Sequence, residues 1–220
     1  MAAASFDDLS TVLSVAVLGF MAVRLVTGVR VSRSRSGRRV VTAVRQRFGW
    51  RHVWPVPIVL TLVIIAASII MAVPGLDWGW WSAIGGDGNP VFGSTESTSG
   101  TAWEWLIPLV FICLLIPALP LFAHAEERMF RTGAEQWTPA RRLLKIVQFG
   151  MVHALIGIPV GAALALSVGG AYFMRVYLRE HARTGSSNEA TMESTTAHAA
   201  YNGVIIGVVL IAIVLGAVFT

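Results

Sequence analysis

An all-α, polytopic membrane helical bundle of about six transmembrane helices, two of them short, is the architecture this sequence predicts. Three observations lead there. Hydrophobic residues make up 55% of the 220 positions and charged residues 13%, about half the charged share of a soluble domain, and the mean hydropathy is +0.68. Apolar stretches recur that are long enough to cross a bilayer core, which takes about 20 helical residues. The basic residues cluster in alternate connections, the pattern left by the positive-inside rule.

The elements follow in order. The first span covers 9–29, with Arg24 near one end, where a long side chain reaches the interface. Asp7 and Asp8 precede it, without a basic n-region or a small-residue cleavage site, which argues against a cleaved signal peptide. The second span, 55–74, is uninterrupted. The third, 103–124, contains Pro108, Pro117 and Pro120, which predict kinks, tolerated where neighbouring helices re-satisfy the freed carbonyls. From 146 to 174 there is no formal charge and a single histidine. That stretch is too long for one span and short for two. Gly157-Ile158-Pro159-Val160-Gly161 supplies a turn, giving two short helices over 140–156 and 161–179, a hairpin or a partly re-entrant pair. A polar inside loop over 185–196 leads to the last span, 196–219.

Charge then sets orientation. Nine of the 17 basic residues lie in 24–51, whereas 76–102 holds Asp77, Asp87 and Glu96 and no Lys or Arg; 128–145 and 175–183 are again basic. Six helices with both termini outside satisfy every connection. Trp78, Trp80, Trp81, Trp103 and Trp105 then fall at the outer boundary as an aromatic belt, beside a polar outside loop over 94–101. The Arg- and Ser-rich stretch 31–39 reads as interfacial or flexible and meets anionic lipid. The net charge of +5 belongs to the inside loops, and with no accompanying fold motif it does not point to a nucleic-acid partner. Cys113, the single cysteine, rules out a disulfide framework and a Cys-based metal site. Sixteen Arg against one Lys, with abundant Ala, Gly and Val, fits a GC-rich bacterial genome, so the expected location is the bacterial cytoplasmic membrane, multi-pass. The chain divides into an N-terminal two-helix membrane region with a basic cytoplasmic loop (1–102) and a helical core (103–220).

Ionisable side chains inside hydrocarbon are costly and mark pathways or reaction centres. Three motifs in the second half carry them: Glu126-Glu127-Arg128-Met129-Phe130-Arg131, Phe149-Gly150-Met151-Val152-His153, and His198-Ala199-Ala200-Tyr201-Asn202. Glu127 and Arg131 are spaced i, i+4 and form an ion pair on one face. Adjacent helical residues point about 100° apart, so Glu126 is directed elsewhere, toward the bundle interior if it is the functional carboxylate. Phe149 shares a face with His153, and His198 shares one with Asn202. Each motif alone has a structural reading: an interfacial helix end, a packing histidine, or a polar pair bonded to a neighbouring helix. His124, Tyr172, Tyr177 and His181 read as interfacial residues.

Two chemistries use such a set. A glutamate with a histidine activates water as a general base, while a second histidine and an asparagine donate hydrogen bonds to the developing oxyanion. Alternatively His153, His198 and a glutamate form a His₂Glu zinc site. The lack of a compact HExxH and the poor affinity of Asn for zinc favour the metal-free route, with zinc the only cofactor to weigh.

Taken in order, EExxxR, FxxxH and HxxxN resemble the signature of the CPBP family (CAAX proteases and bacteriocin-processing enzymes), intramembrane endopeptidases of the Ras-converting CAAX type. The resemblance covers about 103–220, roughly half the chain; larger members of that family carry more membrane helices. It implies a glutamate-type endopeptidase that cleaves a membrane-anchored protein or peptide near the cytoplasmic face. Glu126 and His153 would activate water, His198 and Asn202 would form the oxyanion hole, and Glu127, Arg131 and Phe149 would support them. Two further functions compete: a non-proteolytic relative acting as scaffold, chaperone or bacteriocin self-immunity factor, and a small proton-coupled carrier. Against the carrier, no inverted repeat is apparent.

Overall fold

The computed structural model describes residues 6–80 and 100–219, and every regular element among them is helical. In chain order these are α1 (Phe6–Ser32), α2 (Arg35–Arg47), α3 (Trp50–Val53), α4 (Val56–Met71), α5 (Trp103–Phe130), α6 (Pro139–Met151), α7 (Val160–Ala165), α8 (Ser167–Thr184) and α9 (Ser187–Phe219), with 3₁₀ segments at Ala134–Gln136 and Val152–Ile156. Trp81, Asp87, Glu96 and most of the acidic connection lie outside the described residues.

Five stretches are long and apolar enough to cross a membrane: Val15–Ser32, Trp50–Met71, Trp105–Gln136, Val160–Thr184 and Ser187–Ala212. The protein is a multi-pass helical membrane bundle. Of the six helices expected, the 140–156 helix is the one that falls short. α6 has 13 residues, about 20 Å at 1.5 Å per residue, and its first half carries Arg141, Arg142 and Lys145. Arg47 bonds Glu189 at 2.6 Å and Arg51 bonds Glu193 at 3.0 Å, which puts the α8–α9 turn on the same side as the basic connection. With α4, α5 and α8 as three crossings, the parity predicts that α6 with its 3₁₀ extension supplies a fourth.

The far end of that hairpin is pinned. Gly157 closes the 3₁₀ segment at φ 96°, a conformation glycine adopts without penalty. Beyond it, Val160 N–H donates to the Trp78 carbonyl (2.9 Å) and Gly161 N–H to that of Leu76 (2.6 Å). At its near end α6 starts conventionally, with Thr138 accepting from Arg141 N–H at 3.3 Å and Pro139 opening the first turn. α5 runs without a break through Pro108, Pro117 and Pro120.

Two polar stretches are largely helical, the first read as interfacial or flexible and the second as a loop. Over 31–39, Ser34 caps α2 by accepting from Gly37 N–H at 3.1 Å, and α2 buries Val44 against Ala123 and Ala199. The 185–196 loop is shorter than expected: Gly185 (φ 67°) caps α8, and α9 starts at Ser187. Its hydroxyls bond back into the helix, from Thr191 to Ser187 O (2.7 Å), Thr195 to Thr191 O (2.7 Å) and Thr196 to Met192 O (2.8 Å). Such i−4 bonds satisfy hydroxyls without water, so these polar turns are buried. Tyr177, read as an interfacial anchor, is also buried. Its hydroxyl accepts from Gly133 N–H and donates to Glu135 at 2.7 Å, which meets the requirement of a buried phenol for a partner.

The main core joins Val56 and Val59 of α4, Phe130 of α5, Phe149 of α6, Phe173 of α8, and Ala197 and Tyr201 of α9. It crosses the 102/103 boundary drawn from sequence, so the N-terminal region packs into the core that holds the polar motifs.

Candidate functional site

Glu127 is the centre of the polar cluster. Its side chain is fully buried, and Oε1 accepts from Arg131 Nη1 at 2.7 Å and from His198 Nδ1 at 2.9 Å. Oε2 accepts from the Ser194 hydroxyl. That hydroxyl also lies 3.0 Å from the Phe173 carbonyl, and its one proton serves one acceptor at a time. The i, i+4 pair with Arg131 is the one the sequence predicts, but it sits in the core and not at an exposed helix end.

Arg131 is buried with it. Its guanidinium carbon stands 4.1 Å from the Phe149 ring centroid and 5.3 Å from that of Phe173, an aromatic cage of the cation–π kind. Nε and Nη2 have no hydrogen-bond partner among the described residues. Gly170 lets the cage close: a Cβ there would stand 2.9 Å from Phe149 Cδ1 and 3.1 Å from the Ile146 carbonyl.

His198 comes from α9 and lies between the two glutamates. An ionised carboxylate only accepts, so the Glu127 contact places a proton on Nδ1. Nε2 then faces Glu126 Oε2 at 3.7 Å. The two adjacent carboxylates therefore do approach one common group, against the expectation from their 100° separation. Each long side chain reaches a different nitrogen of one ring. Of the two, Glu127 is the interior residue. Glu126 is about one-third exposed (32%), while its Oε2 is buried and without a hydrogen-bond partner among the described residues. Phe173 stacks on the His198 ring at 4.4 Å and 22°, fixing the plane of the imidazole.

Phe149 links the other motif to this centre. Its ring meets His198 edge-on at 5.5 Å and His153 at 5.3 Å, so a single phenyl ring touches both histidines. His153 is half-buried, and its Nδ1 lies 2.9 Å from the Phe149 carbonyl and 3.3 Å from that of Gly150. Carbonyls accept, so Nδ1 carries a proton. Asn202 is half-buried one turn beyond His198, with no side-chain hydrogen bond among the described residues. The structure thus brings Glu126, Glu127, Arg131, Phe149 and His198 together, joins His153 to them only through the Phe149 ring, and leaves Asn202 without a side-chain partner among the described residues.

Ser194 and Phe173 belong to the site without a motif to announce them, and Tyr201 joins them from inside the HxxxN segment. Ser194 stands at i−4 from His198, a helical signal that is legible only if the helix begins well before 196. Tyr201 is buried, its hydroxyl without a hydrogen-bond partner among the described residues, edge-on to Phe173 at 5.7 Å. His124 is half-buried and donates to or accepts from Thr195 at 3.3 Å, across the α5–α9 contact. Among the described residues no cluster of three or more His, Cys, Asp and Glu side chains has metal-binding geometry. No protein-family model matches this chain, and neither a curated protein nor a solved structure matches it.

Proposed function

We propose that the protein is an intramembrane endopeptidase of the glutamate type, hydrolysing a peptide bond of a membrane-associated protein or peptide. The observation that supports this most directly is the pairing of Glu126 with His198. A buried carboxylate oxygen without a hydrogen-bond partner among the described residues lies 3.7 Å from an imidazole nitrogen whose ring is held on its other side by Glu127. This resembles the base–orienter logic of nucleophilic sites, with one carboxylate fixing the histidine at Nδ1 and a second poised near Nε2.

In this reading Glu126 takes a proton from water as the water oxygen bonds to the scissile carbonyl carbon. His153 orients that water through Nε2. The carbonyl oxygen becomes an oxyanion that receives hydrogen bonds from His198 and from the Asn202 amide. Collapse of the tetrahedral species breaks the C–N bond, and the proton held by Glu126 passes to the departing amine. Glu127 and Arg131 form an internally neutralised support and do not touch substrate. A cytoplasmic-side cleavage fits the position of Glu126 near the end of α5 that adjoins the basic connections.

One feature favours a second reading, a non-proteolytic scaffold. Glu127, Arg131, Ser194 and His198 satisfy one another within a buried network, which is sufficient reason for those residues to be present. Cleavage of a membrane-peptide library by wild type and Glu126→Gln, with and without chelator, separates the readings. An endopeptidase of this type loses 10²–10⁴-fold of its rate on that substitution and is indifferent to chelator. Loss in chelator with recovery on adding zinc would replace the mechanism with a zinc one. Full biological activity of a normally inserted Glu126→Gln protein would leave the scaffold in its place.

A further inference from the structure

On the outside of the bundle, away from the glutamate cluster, α6 and α8 enclose an open groove of about 550 Å³, within the size range of small-molecule clefts. Its walls carry Arg142, Arg175 and Arg179, its apolar part includes Ile146, Met174 and Leu178, and no acidic residue lines it. Arg175 and Arg179 are exposed at i, i+4 on α8, a spacing at which like charges destabilise a helix. Neither has an ion pair or hydrogen bond among the described residues. The adjacent acid, Glu180, is engaged by Arg183 at 2.6 and 2.9 Å. Arg142 is held across the groove by the carbonyls of Ala134 (2.9 Å) and Glu135 (3.2 Å), which orients it without neutralising it.

Charged and apolar residues lie side by side along the groove. Arg142 lies in the first turn of α6 and Arg179 in the last turns of α8, so both stand at the end of the bundle that adjoins the basic connections. Arg175 stands one turn deeper beside Met174, and Leu178 lies beside Arg179. A ligand matching this lining has an anionic head against the α8 arginines and an apolar chain along the residues next to them. We propose that the α6–α8 groove is a binding site for an anionic phospholipid, its phosphate on Arg175 and Arg179 and an acyl chain over Ile146, Met174 and Leu178. Basic pockets between membrane helices take such headgroups. The proposal is independent of proteolysis, because none of these residues belongs to the Glu126–His198 cluster.

The test is lipid binding to the purified full chain in neutral detergent, comparing phosphatidylglycerol with phosphatidylcholine of identical acyl chains and with inorganic phosphate. The expected result is tighter binding of phosphatidylglycerol. Arg175→Gln/Arg179→Gln should weaken it by about thirtyfold, about fivefold per arginine near an anionic headgroup. Both side chains are exposed, so the variant should keep its fold. Arg175→Lys/Arg179→Lys, which preserves the charges, should retain most of the affinity, and Arg38→Gln/Arg39→Gln on α2 should leave it at the wild-type level. Equal binding of the two lipids overturns the proposal, as does equal loss in the Lys and Gln variants. So does full competition by inorganic phosphate, or loss of binding in the α2 variant.

Discussion

Glu126 and Glu127 are neighbours with opposite consequences when altered. Glu127→Gln removes the charge opposite Arg131 and leaves a buried guanidinium without a counter-ion. Breaking a buried pair from one side costs about 3–5 kcal/mol, so this variant should melt well below wild type in detergent. Glu126→Gln leaves that network intact and should melt close to wild type while carrying the activity loss given above. If the two variants unfold at the same temperature, the placement of Glu127 at the centre of the cluster is wrong. Ser194→Ala gives a milder check. It strips a donor from a buried carboxylate oxygen and should destabilise by about 1–3 kcal/mol, the cost of an unsatisfied buried acceptor. A thermal shift indistinguishable from wild type would mean that Ser194 serves the Phe173 carbonyl instead.

Helix packing sets the next scale. α6 and the α7–α8 segment approach so closely at Gly150 that a Cβ there would stand 2.8 Å from Ser167 N and inside contact distance of the Ala163 carbonyl. Backbone atoms cannot rotate away. Gly150→Ala should therefore cost about 1–3 kcal/mol, the range of overpacking, and should disturb His153, three residues on. Gly203 has nothing within 4 Å of its virtual Cβ, so Gly203→Ala should be neutral or stabilising by up to about 1 kcal/mol through helix propensity. Thermal unfolding of the pair checks both signs; a neutral Gly150→Ala would refute the close α6–α8 contact. Much of this scale was legible in sequence. The Gly157–Gly161 turn, the uninterrupted α4 span and the i, i+4 pair of Glu127 with Arg131 all follow from local rules. The start of α9 did not, because Ser, Thr and Glu over 187–196 read as loop until their hydroxyls are seen bonding to carbonyls four residues back.

For the whole molecule, the Arg47–Glu189 and Arg51–Glu193 pairs bind the basic connection to the base of α9 and set the parity of crossings. Cysteine labelling of intact cells tests the result in a Cys113→Ala background, which removes the single native thiol. Cysteine placed at Ser36, exposed on α2, should be protected from an impermeant external reagent. Cysteine at Asn188, exposed in the first turn of α9, should be protected equally, and one at Ser97 should label. External labelling at Asn188 with protection at Ser36 would show that α6 does not cross.

Sequence alone determined that this chain is a membrane-embedded helical bundle, and it determined which polar residues are available within its apolar helices. Both follow from composition and from periodicities no longer than one or two helical turns. Tertiary structure alone decided how those residues combine. That His198 lies between Glu126 and Glu127, that Phe149 touches both histidines, and that Phe173 and Ser194 complete the cluster depend on contacts between residues tens of positions apart. Such contacts are set by how α5, α6, α8 and α9 pack. Rotating one of these helices about its axis would leave every local pattern unchanged and move its polar groups out of the cluster.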